Sequence, residues 1–482
     1  MSDVLNFPEN KDVKFRAFEI AGIPACLIFI EGMANGAVIG ELILKTAFHF
    51  ASDKAFSSEE NRLAALKKQV LAVSEVKTET RIGPVTEKLM SGMTALLIEG
   101  CAEALCLETR GFEKRTVGCT QSESVVVGSQ EGFVESLRTN ISLMRRYAQT
   151  PQLITEYMCV GTGVPLRIAV VYLKGVADED LLGELKRRLL CIEAPTVLGI
   201  GQLQQLIEDD PGALLPQMLQ TERPDRTAAA LFDGQIAVFA DNSPYALIAP
   251  VTVFHHLHAP DDAFLRWQYG TFLRIIRAIG ILASLYLPAV YLAFTLFHAH
   301  LIPMPLLASI AETRAKVPFS VTAEVLFMEV SFYLINEAGT RIPSQIGSAL
   351  GIVGALILGQ AAVSASVISP ILIIVIALTG LGNYAIPNYP FSLGIILCRL
   401  ALEAAAALLG MYGILLVSLV MFCRISAMRS LGAPYCAPVA PFRPHNPDLL
   451  LRLSLRKQGK PLFFTKKDDW LHPRPSREDR QT

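Results

Sequence analysis

The chain has 482 residues and a formal net charge of −1, from 43 basic and 44 acidic side chains. This even balance gives no indication of a nucleic-acid partner, and we expect none. The average conceals a 57-residue run, Ile342–Cys398, without a single Asp, Glu, Lys, Arg or His. Because about 20 apolar residues cross a bilayer as a helix, this run excludes an ordinary soluble protein and predicts an integral membrane protein.

The amino-terminal half reads as soluble protein, since residues 1 to about 260 carry charge throughout. Its first 14 residues are polar and lack the basic-then-apolar pattern of a signal peptide, so we expect this half to remain in the cytoplasm. The nine cysteines form no CxxC pair and no metal-ligand spacing with histidine. We therefore predict reduced thiols, with no metal and no cofactor.

An internal repeat divides the soluble half. Residues 25–32 (ACLIFIEG) resemble residues 168–175 (IAVVYLKG) at an offset of 143. Residues 89–98 resemble residues 231–240 at an offset of 142. Short apolar runs followed by helical periodicity indicate buried strands and helices, so the repeat predicts a duplicated soluble α/β unit.

The units and their helices follow from this repeat. Residues 1–118 form the first α/β subdomain and residues 151–260 the second. Helices are predicted at about 36–49, at 57–73 and at about 178–190.

Residues 119–150 are predicted to link the two units through a helix, from the pattern FVESLRTNISLMRR over residues 133–146. The pattern ends on Arg145 and Arg146. Two adjacent arginines can bind an anion, but the last turn of a helix also favours solvated cations through its dipole. We favour the solvated interpretation.

No catalytic signature is present in the sequence. It contains no GxxxxGK[ST] phosphate loop, no HExxH and no GxSxG. Carboxylate pairs such as Asp209-Asp210 fall in polar turns or at helix starts, where a solvated surface is the ordinary interpretation. We therefore predict that the protein is not an enzyme.

Residues 261–423 are predicted to form a transmembrane helical domain of about four spans. The spans are Ala278–Phe297, Ile346–Val367, Ile371–Ala385 and Ala404–Cys423. Pro288 is tolerated inside the first span because neighbouring helices can satisfy the freed carbonyl. Residues 424–482 are predicted to form a basic cytoplasmic tail.

The charges that flank the spans predict their number. The tail after Cys423 has 12 basic and 5 acidic residues, and Arg266, Arg274 and Arg277 precede the first span. The positive-inside rule places both regions in the cytoplasm. Equal sidedness requires an even number of crossings, which gives four.

One apolar segment is left out of this count. Phe319–Ile335 carries Glu324 and Glu329, and carboxylates are costly in lipid. We therefore predict an interfacial or protein-buried amphipathic helix there. If this segment also spans the membrane, the count becomes five and the predicted topology fails.

The second span combines small and polar residues. The set is Gly347, Gly351, Gly354, Gly359, Gln360, Val363 and Ser364. Small residues allow helices to pack closely. In a ring of subunits they also leave a lumen, where polar groups meet passing ions. The sequence leaves both interpretations open, a pore wall and simple helix packing.

Two pairs of opposite charge flank the later spans. Glu337 and Arg341 are four residues apart, as are Arg399 and Glu403, so each pair can form on a helix surface. We place the second pair at the membrane boundary, just before the last span.

Several stretches together are similar to one known family. They are QTERPDR at 220–226, LFDG at 231–234, DNSPYALIAP at 241–250, EAGTRIP at 337–343, GIVGALILGQAAV at 351–363 and GAPY at 432–435. From about residue 15 to about residue 445, the chain resembles the A subunit of the spore germinant receptors, the GerA family. The motifs are specific as a set, whereas any one of them alone is weak.

The resemblance implies a multi-pass protein of the spore inner membrane, with its amino-terminal domain and tail on the core side. It implies a transporter-like B subunit and a lipoprotein C subunit as partners. It also implies a ring of A subunits that conducts ions on activation. We assign subunit contact or coupling to a set of charged residues: Arg145, Arg146, Glu222, Arg223, Asp225, Glu324, Glu329, Glu337, Arg341, Arg399 and Glu403.

Two positions depart from the family pattern. Val127-Gly128-Ser129 stands where Arg-Gly-Pro is usual, and Ile396 stands where a second arginine usually accompanies Arg399. If those arginines mediate subunit contacts or gating, coupling is altered in this protein. An alternative therefore stays open, a paralogous scaffold or amplifier that acts with the dipicolinate release channel without nutrient sensing. A secondary transporter is disfavoured, because four spans are few and the membrane half has no internal repeat.

Overall fold

A computed structural model describes residues 1–20, 22–49, 73–111, 120, 122–341, 359–440, 442, 449 and 451–452. The predicted helix at 57–73 therefore lies almost wholly outside the described residues. The strands are β1 (Val13–Ile20), β2 (Ile23–Ile30), β3 (Val76–Glu79), β4 (Thr94–Ile98), β5 (Ala104–Leu107), β6 (Leu153–Val160), β7 (Leu166–Leu173), β8 (Leu219–Thr221), β9 (Ile236–Ala240), β10 (Ala246–Ala249), β11 (Arg429–Ser430) and β12 (Ala433–Pro434).

Helices connect these strands and then make up most of the carboxy-terminal half. They are α1 (Lys45–His49, after a π-helical turn at Val38–Leu44), α2 (Ile82–Met90), α3 (Leu137–Tyr147), α4 (Glu179–Leu190), α5 (Ile200–Ile207), α6 (Pro224–Phe232), α7 (Val253–Leu257), α8 (Asp261–Phe264), α9 (Trp267–Leu296), α10 (Met304–Arg314), α11 (Val321–Arg341), α12 (Pro370–Tyr384), α13 (Tyr389–Leu409) and α14 (Met411–Ala427).

The first unit is an antiparallel sheet in the order β1-β2-β4-β5-β3. Successive side chains of a strand point to opposite faces. Leu27 of β2 accordingly packs with the π-helical turn through Ile43, while Ile28 packs on the other face with Leu89 of α2. The predicted buried strand and the helix at about 36–49 are confirmed.

The second unit repeats this plan. Its sheet has the order β6-β7-β9-β10-β8. Val170 of β7 packs against Leu185 of α4 on one face, and Val171 packs against Ile141 of α3 and Leu231 of α6 on the other. The linking helix α3 is thus packed into the second unit. The helix predicted at about 178–190 is confirmed as α4, which Asp178 caps.

The helices from α9 onward form a bundle, whose end next to the second unit we call proximal and whose opposite end we call distal. α13 starts at the proximal end, where a Cβ on Gly394 would lie 2.5 Å from the carbonyl oxygen of Leu214 in the second unit. α9 starts there too, directly after the short helices that leave the second unit. Both end distally, where Gly410 lies against Phe297.

The other long helices run in the opposite direction. α11 and α12 start at the distal end, where the Ser369 amide donates to the Glu324 carboxylate at 3.1 Å and the hydroxyls of Tyr291 and Ser369 are 3.5 Å apart. They end proximally, where the Tyr384 hydroxyl donates to Asn336 at 2.9 Å. α14 starts at Gly410 and returns to the second unit.

Two of the predicted spans coincide with helices. Ala278–Phe297 overlaps α9 and ends one residue beyond it, and Ile371–Ala385 matches α12 to within one residue at each end. Among the described residues, α9 and α13 are long and apolar enough to cross a membrane, each with a mean hydropathy of 1.9 over its best window. α12 and α14 are shorter apolar helices.

The prediction of one helix over Ala404–Cys423 is wrong. That segment belongs to two helices, α13 and α14, which meet at Gly410. Gly410 has a φ of +63°, in the left-handed region that glycine adopts at low cost. The charge count missed the turn because the residues on both sides of it are apolar.

Candidate functional site

The QTERPDR motif, residues 220–226, joins three parts of the chain. The Glu222 carboxylate accepts the backbone N–H groups of Ser122 and Glu123 at 2.6 and 2.7 Å. The N–H of Phe133 donates to the Glu222 carbonyl at 2.7 Å. Glu222 therefore fastens the segment before α3 to the start of α6.

Two arginines of the motif extend this contact. Arg223 is fully buried and makes a bidentate pair with Asp225, at 3.1 and 2.7 Å. Its remaining donors reach the carbonyls of Glu123 and Ser129. Arg226 pairs with the Glu123 carboxylate at 2.6 Å and also donates to the carbonyls of two histidines in and after α7, which are His255 and His258. We call residues 122–133, the motif and α7 the joint.

Val127-Gly128-Ser129, the triplet that differs from the usual Arg-Gly-Pro, lies in this joint. A Cβ on Gly128 would come within 2.6 Å of the Phe264 ring in α8, and Gly128 has a φ of +132°. The neighbouring amide of Val126 donates to Asp261, also in α8, at 3.1 Å. The segment before α3 thus contacts the short helix that leads into α9.

Arg145 holds the two soluble units together. Its side chain is fully buried and pairs with Asp12 through two hydrogen bonds, at 2.7 and 2.8 Å. The other donors reach Asn10 and the carbonyls of Thr150 and Leu153. The solvated-end prediction is wrong for Arg145, because Asp12 lies 133 residues away and no local pattern reveals it.

Arg146, the next residue, has a different environment. Its side chain is 35% exposed and pairs with Glu131, which is 37% exposed. Such a pair contributes at most about 1 kcal/mol to stability, since water screens it. The solvated interpretation therefore fits Arg146 alone.

A second group of charges surrounds the start of α9. Asp262 of α8 is buried and accepts from Arg274 at 3.1 Å and from Arg277 at 2.9 Å. Burial alone would raise the pKa of Asp262, but the hydrogen bond and charge of Arg277, with Arg274, outweigh it and lower the pKa. Arg452 donates to the carbonyl of Leu265 at 2.8 Å. These contacts fix the angle at which α9 leaves the second unit.

The GAPY motif at 432–435 attaches the far end of α14 to the same unit. Tyr435 is fully buried and donates to the Pro216 carbonyl at 2.9 Å, while its own carbonyl accepts from Val253. His256 is stacked on Phe391 of α13, with ring centroids 5.4 Å apart. Burial lowers the pKa of His256 to about 3, so it is neutral at physiological pH. The second unit thus contacts α13 and α14 as well as α9.

Three long helices meet at a buried ionic centre, formed by Arg399, Glu329, Glu403, Ser284 and Tyr333. Arg399 of α13 donates to Glu329 of α11 at 3.0 Å and to the carbonyl and hydroxyl of Ser284 in α9, both at 3.2 Å. Its guanidinium lies over the Tyr333 ring, 5.5 Å from the centroid. Glu403 is 3.6 Å from the Arg399 Nε, an ion pair without a hydrogen bond.

Burial makes this centre costly to disturb. The exposed fractions of Arg399 and Glu329 are each 1%, and that of Glu403 is 6%. The predicted pairing of Arg399 with Glu403 is confirmed by their distance. The predicted position at a boundary is wrong, because Arg399 lies inside the bundle, ten residues from either end of α13. Sequence spacing found the local partner and missed the partners on other helices.

Glu324 occupies a second buried position, at the distal end. Its side chain is fully enclosed, accepts the Ser369 amide and lies 3.7 Å from the Arg314 guanidinium. Both carboxylates of α11 are therefore covered by protein, as the protein-buried alternative for this segment predicts. Glu337 is exposed on the same helix. The Arg341 side chain lies outside the described part of the chain, so its pairing with Glu337 stays a prediction.

The glycine-rich segment is described only in its second half. Gly359 to Ser364 are helical, and Gln360 and Ser364 are exposed on one helix face, four residues apart, with Val363 half-buried beside them. Gly347, Gly351 and Gly354 lie outside the described residues. Among the described residues, a Cβ on Gly359 would meet only the tip of Ile373, at 4.0 Å. Gly359 itself is therefore not a close helix contact.

A close glycine contact between long helices lies elsewhere, between α9 and α12. A Cβ on Gly382 would lie 2.2 Å from the carbonyl oxygen of Gly280. We expect Gly382→Ala to destabilise the detergent-solubilised protein by about 1–3 kcal/mol, as overpacking does. The matched change Gly359→Ala should be neutral or stabilising, because alanine favours the helix and no atom of the described chain comes closer than 4.0 Å to the added carbon. Thermal unfolding of both variants checks this; equal melting temperatures would contradict the α9–α12 contact.

Known proteins are similar to this chain over most of its length. The model of the Bacillus/Clostridium GerA spore germination protein family matches residues 4–462. Spore germination protein KA of Bacillus subtilis is 36% identical over 436 residues, which is 90% of this chain and 79% of that protein. Spore germination protein GerLA of Bacillus cereus is 30% identical over 475 residues, which is 98% of this chain and 96% of that protein.

One solved structure is similar to the soluble half. It is the crystal structure of the N-terminal domain of the A subunit of the Bacillus megaterium spore germinant receptor GerK3. The similarity covers 52% of this chain and 91% of that chain, at 26% identity and a TM-score of 0.40.

Proposed function

Because this chain belongs to the GerA family of spore germination proteins, we propose that it is the A subunit of a nutrient-responsive spore germinant receptor. It works in the spore inner membrane with a transporter-like B subunit and a lipoprotein C subunit. Its role is to turn germinant binding into ion release. Relatives named as spore germination proteins, matched over most of their length, support this assignment.

In this proposal the bundle crosses the membrane six times. α9 and α13 cross in one direction, and α11, α12 and α14 cross in the other. The sixth crossing is the second span predicted from the sequence, Ile346–Val367, most of which lies outside the described residues. Six is even, so the soluble units and the tail share the cytoplasmic side, in accord with the charge distribution. The four-span prediction has the same parity but omits α11 and α13. α11 can cross because protein, and not lipid, covers its two buried carboxylates.

The two soluble units are duplicates of one ancestral unit in this account. Their sheets have the same strand order. β2 and β7 are 143 residues apart, and β4 and β9 are 142 residues apart, which are the two offsets at which the sequence repeats. Both properties support duplication, because unrelated units would not share register as well as order.

The observation that supports the pore assignment is the exposed polar face of the helix at Gly359–Ser364. Gln360 and Ser364 are exposed and point away from the helices that the structure describes. Polar side chains are costly against lipid, so this face needs water or another subunit. A ring of copies that turns this face inward supplies a wet lumen with small and polar walls.

The joint and the ionic centre connect the soluble units to that ring. The joint ties the segment before α3 and the QTERPDR motif to α7 and α8, next to the start of α9. The Ser284 carbonyl of α9 accepts a hydrogen bond from Arg399 of α13, so α9 also contacts the ionic centre. α12 begins within a few residues of the Gly359–Ser364 helix and packs along α9. A displacement of the soluble units therefore reaches the pore face through rigid helices.

The pore assignment predicts the effect of Val363→Ser in spores. A hydroxyl in place of a half-buried apolar side chain wets the lumen and should raise the ion leak of dormant spores several-fold. The matched change Val420→Ser lies on the exposed apolar face of α14 and should leave the leak unchanged. Ion release from purified dormant spores measures both. Parental leak in Val363→Ser spores that contain normal amounts of the protein would remove the pore assignment and favour the scaffold.

A further inference from the structure

The proximal end of the bundle has unpaired positive charge next to exposed aromatic rings. Arg266 immediately precedes α9 and is exposed, and its side chain forms no hydrogen bond or ion pair with any residue that the structure describes. Trp267, Tyr269 and Phe272 follow it, with exposed fractions of 45, 61 and 62%. Most other arginines of this region are used within the protein, as Arg274 and Arg277 are on Asp262.

Tyr269 and Phe272 stand at the head of a continuous apolar face, and Trp267 lies on another side of the helix, next to Arg266 in the sequence. Tyr269, Phe272, Ile276 and Ile279 recur at helical spacing and are all about half or more exposed. A face of this kind meets lipid tails, and tyrosine and tryptophan favour the membrane–water interface. Arg266 then lies at the level of the lipid headgroups, where its charge is drawn to anionic lipid.

A second helix, α14, also has exposed arginines at the proximal end of the bundle. α14 returns to the second unit through the hairpin β11–β12, so its last turn is proximal. Arg424 and Arg429 are exposed there, and their side chains likewise contact no acid within the described part of the chain. Exposed arginines at one end of a bundle, without matching acids, are complementary to a negatively charged leaflet.

We propose that Arg266, with Tyr269 three residues further along the same side of the helix, forms a binding site for the headgroup of an anionic phospholipid. The site rests on the membrane placement proposed above. The guanidinium binds the headgroup phosphate through paired N–H donors, and the Tyr269 ring holds the lipid at the interface. Lipid bound here lies next to α8, which the joint contacts through Val126 and Gly128, so the composition of the leaflet acts on the element that sets the angle of α9.

Quenching of Trp267 fluorescence tests this site. The chain has two tryptophans, so Trp470→Phe leaves Trp267 as the only one. The full-length protein is reconstituted in vesicles that contain either brominated phosphatidylglycerol or brominated phosphatidylcholine in an unbrominated background. One arginine near the surface contributes about 1 kcal/mol of attraction to anionic lipid, which corresponds to about a five-fold preference for the brominated phosphatidylglycerol.

Variants and a competitor separate the outcomes. Arg266→Gln should remove the preference, Arg266→Lys should keep it, and Arg81→Gln, an exposed arginine of the first unit, should have no effect. Equal quenching by both lipids in the parent, or an unchanged preference in Arg266→Gln, overturns the headgroup site. Displacement by inorganic phosphate means a soluble anion site and also overturns it. No quenching by either lipid contradicts the membrane placement itself.

Discussion

Replacing Arg399 by methionine is expected to destabilise the helical bundle by about 3–5 kcal/mol, because it leaves two carboxylates buried without their cation. Glu329 loses its hydrogen bond at 3.0 Å and Glu403 loses its ion pair at 3.6 Å. The Ser284 hydroxyl also loses its donor. The measurement is the melting temperature of the purified protein in detergent, together with its abundance in membranes.

A triple variant separates charge from packing. Arg399→Met combined with Glu329→Leu and Glu403→Leu removes all three charges and fills the space with apolar side chains. Replacing a whole buried ionic group in this way is often neutral or stabilising, so the triple variant should recover most of the lost stability. If Arg399→Met alone melts like the parent, the ionic centre does not hold α9, α11 and α13 together.

The triple variant also separates stability from function. If the ionic centre transmits movement between α9 and the other helices, restored stability should come without restored germination. Spores with the triple variant should then contain normal amounts of the protein and respond weakly to germinant. A normal response would assign the centre to structure alone.

Arg145→Met should have a comparable effect on the soluble half, about 3–5 kcal/mol. Its guanidinium makes two hydrogen bonds to Asp12, and both side chains are fully buried. Without it, Asp12 is an unpaired buried charge between the two units. The loss is measured by unfolding the full-length protein in denaturant, with proteolytic cleavage of the amino-terminal units as the probe of unfolding.

The adjacent arginine provides the control. Arg146→Met removes a half-exposed pair with Glu131 and should cost less than about 1 kcal/mol. The double change Arg145→Met and Asp12→Leu should regain part of the stability lost in Arg145→Met. Equal losses for the two arginines would show that the burial of Arg145 does not determine its contribution.

Local patterns predicted the elements of this fold that local physics determines. The strand over residues 23–30, the helix over 179–190 and the helix over 370–384 follow from apolar runs and their periodicity. The cost of placing charge in lipid left two alternatives for Glu324 and Glu329, an interfacial helix and burial in protein, and the structure has the second. In each case the signal lay within about twenty residues of the element.

The charged partnerships could not be found in this way. Asp12 and Arg145 are 133 residues apart, and Glu329 and Arg399 are 70 residues apart. Their pairing depends on which strands and helices become neighbours, which a single sequence does not encode locally. The same holds for Glu222, whose motif was recognised but whose acceptance of two amide groups near residue 122 was not.

The turn at Gly410 is a different kind of failure. Charge and apolar counts do not reveal this turn, because the residues on both sides of Gly410 are apolar. The length of the apolar region did give a signal, because it exceeds what one membrane-spanning helix needs. The structure joins Tyr389–Leu409 to Met411–Ala427 through one glycine. A glycine that interrupts an apolar run longer than one span deserves to be considered as a turn.

The ionic centre lies close to the soluble units. Arg399 follows Gly394 by five residues of α13, or roughly 8 Å of helix. A Cβ on Gly394 would lie 2.5 Å from the carbonyl oxygen of Leu214 in the second unit. In the proposed arrangement a displacement of the second unit therefore reaches the centre through α13 as well as through α9.

Ion efflux from liposomes measures conduction with no other spore component present. The purified protein is reconstituted with entrapped potassium, as the parent, as Val363→Ser and as Val420→Ser. We predict efflux through Val363→Ser well above that of the other two, with all three proteins incorporated to the same extent. Liposomes that retain their potassium with every variant, although the protein is inserted and assembled, would contradict an ion-conducting A subunit.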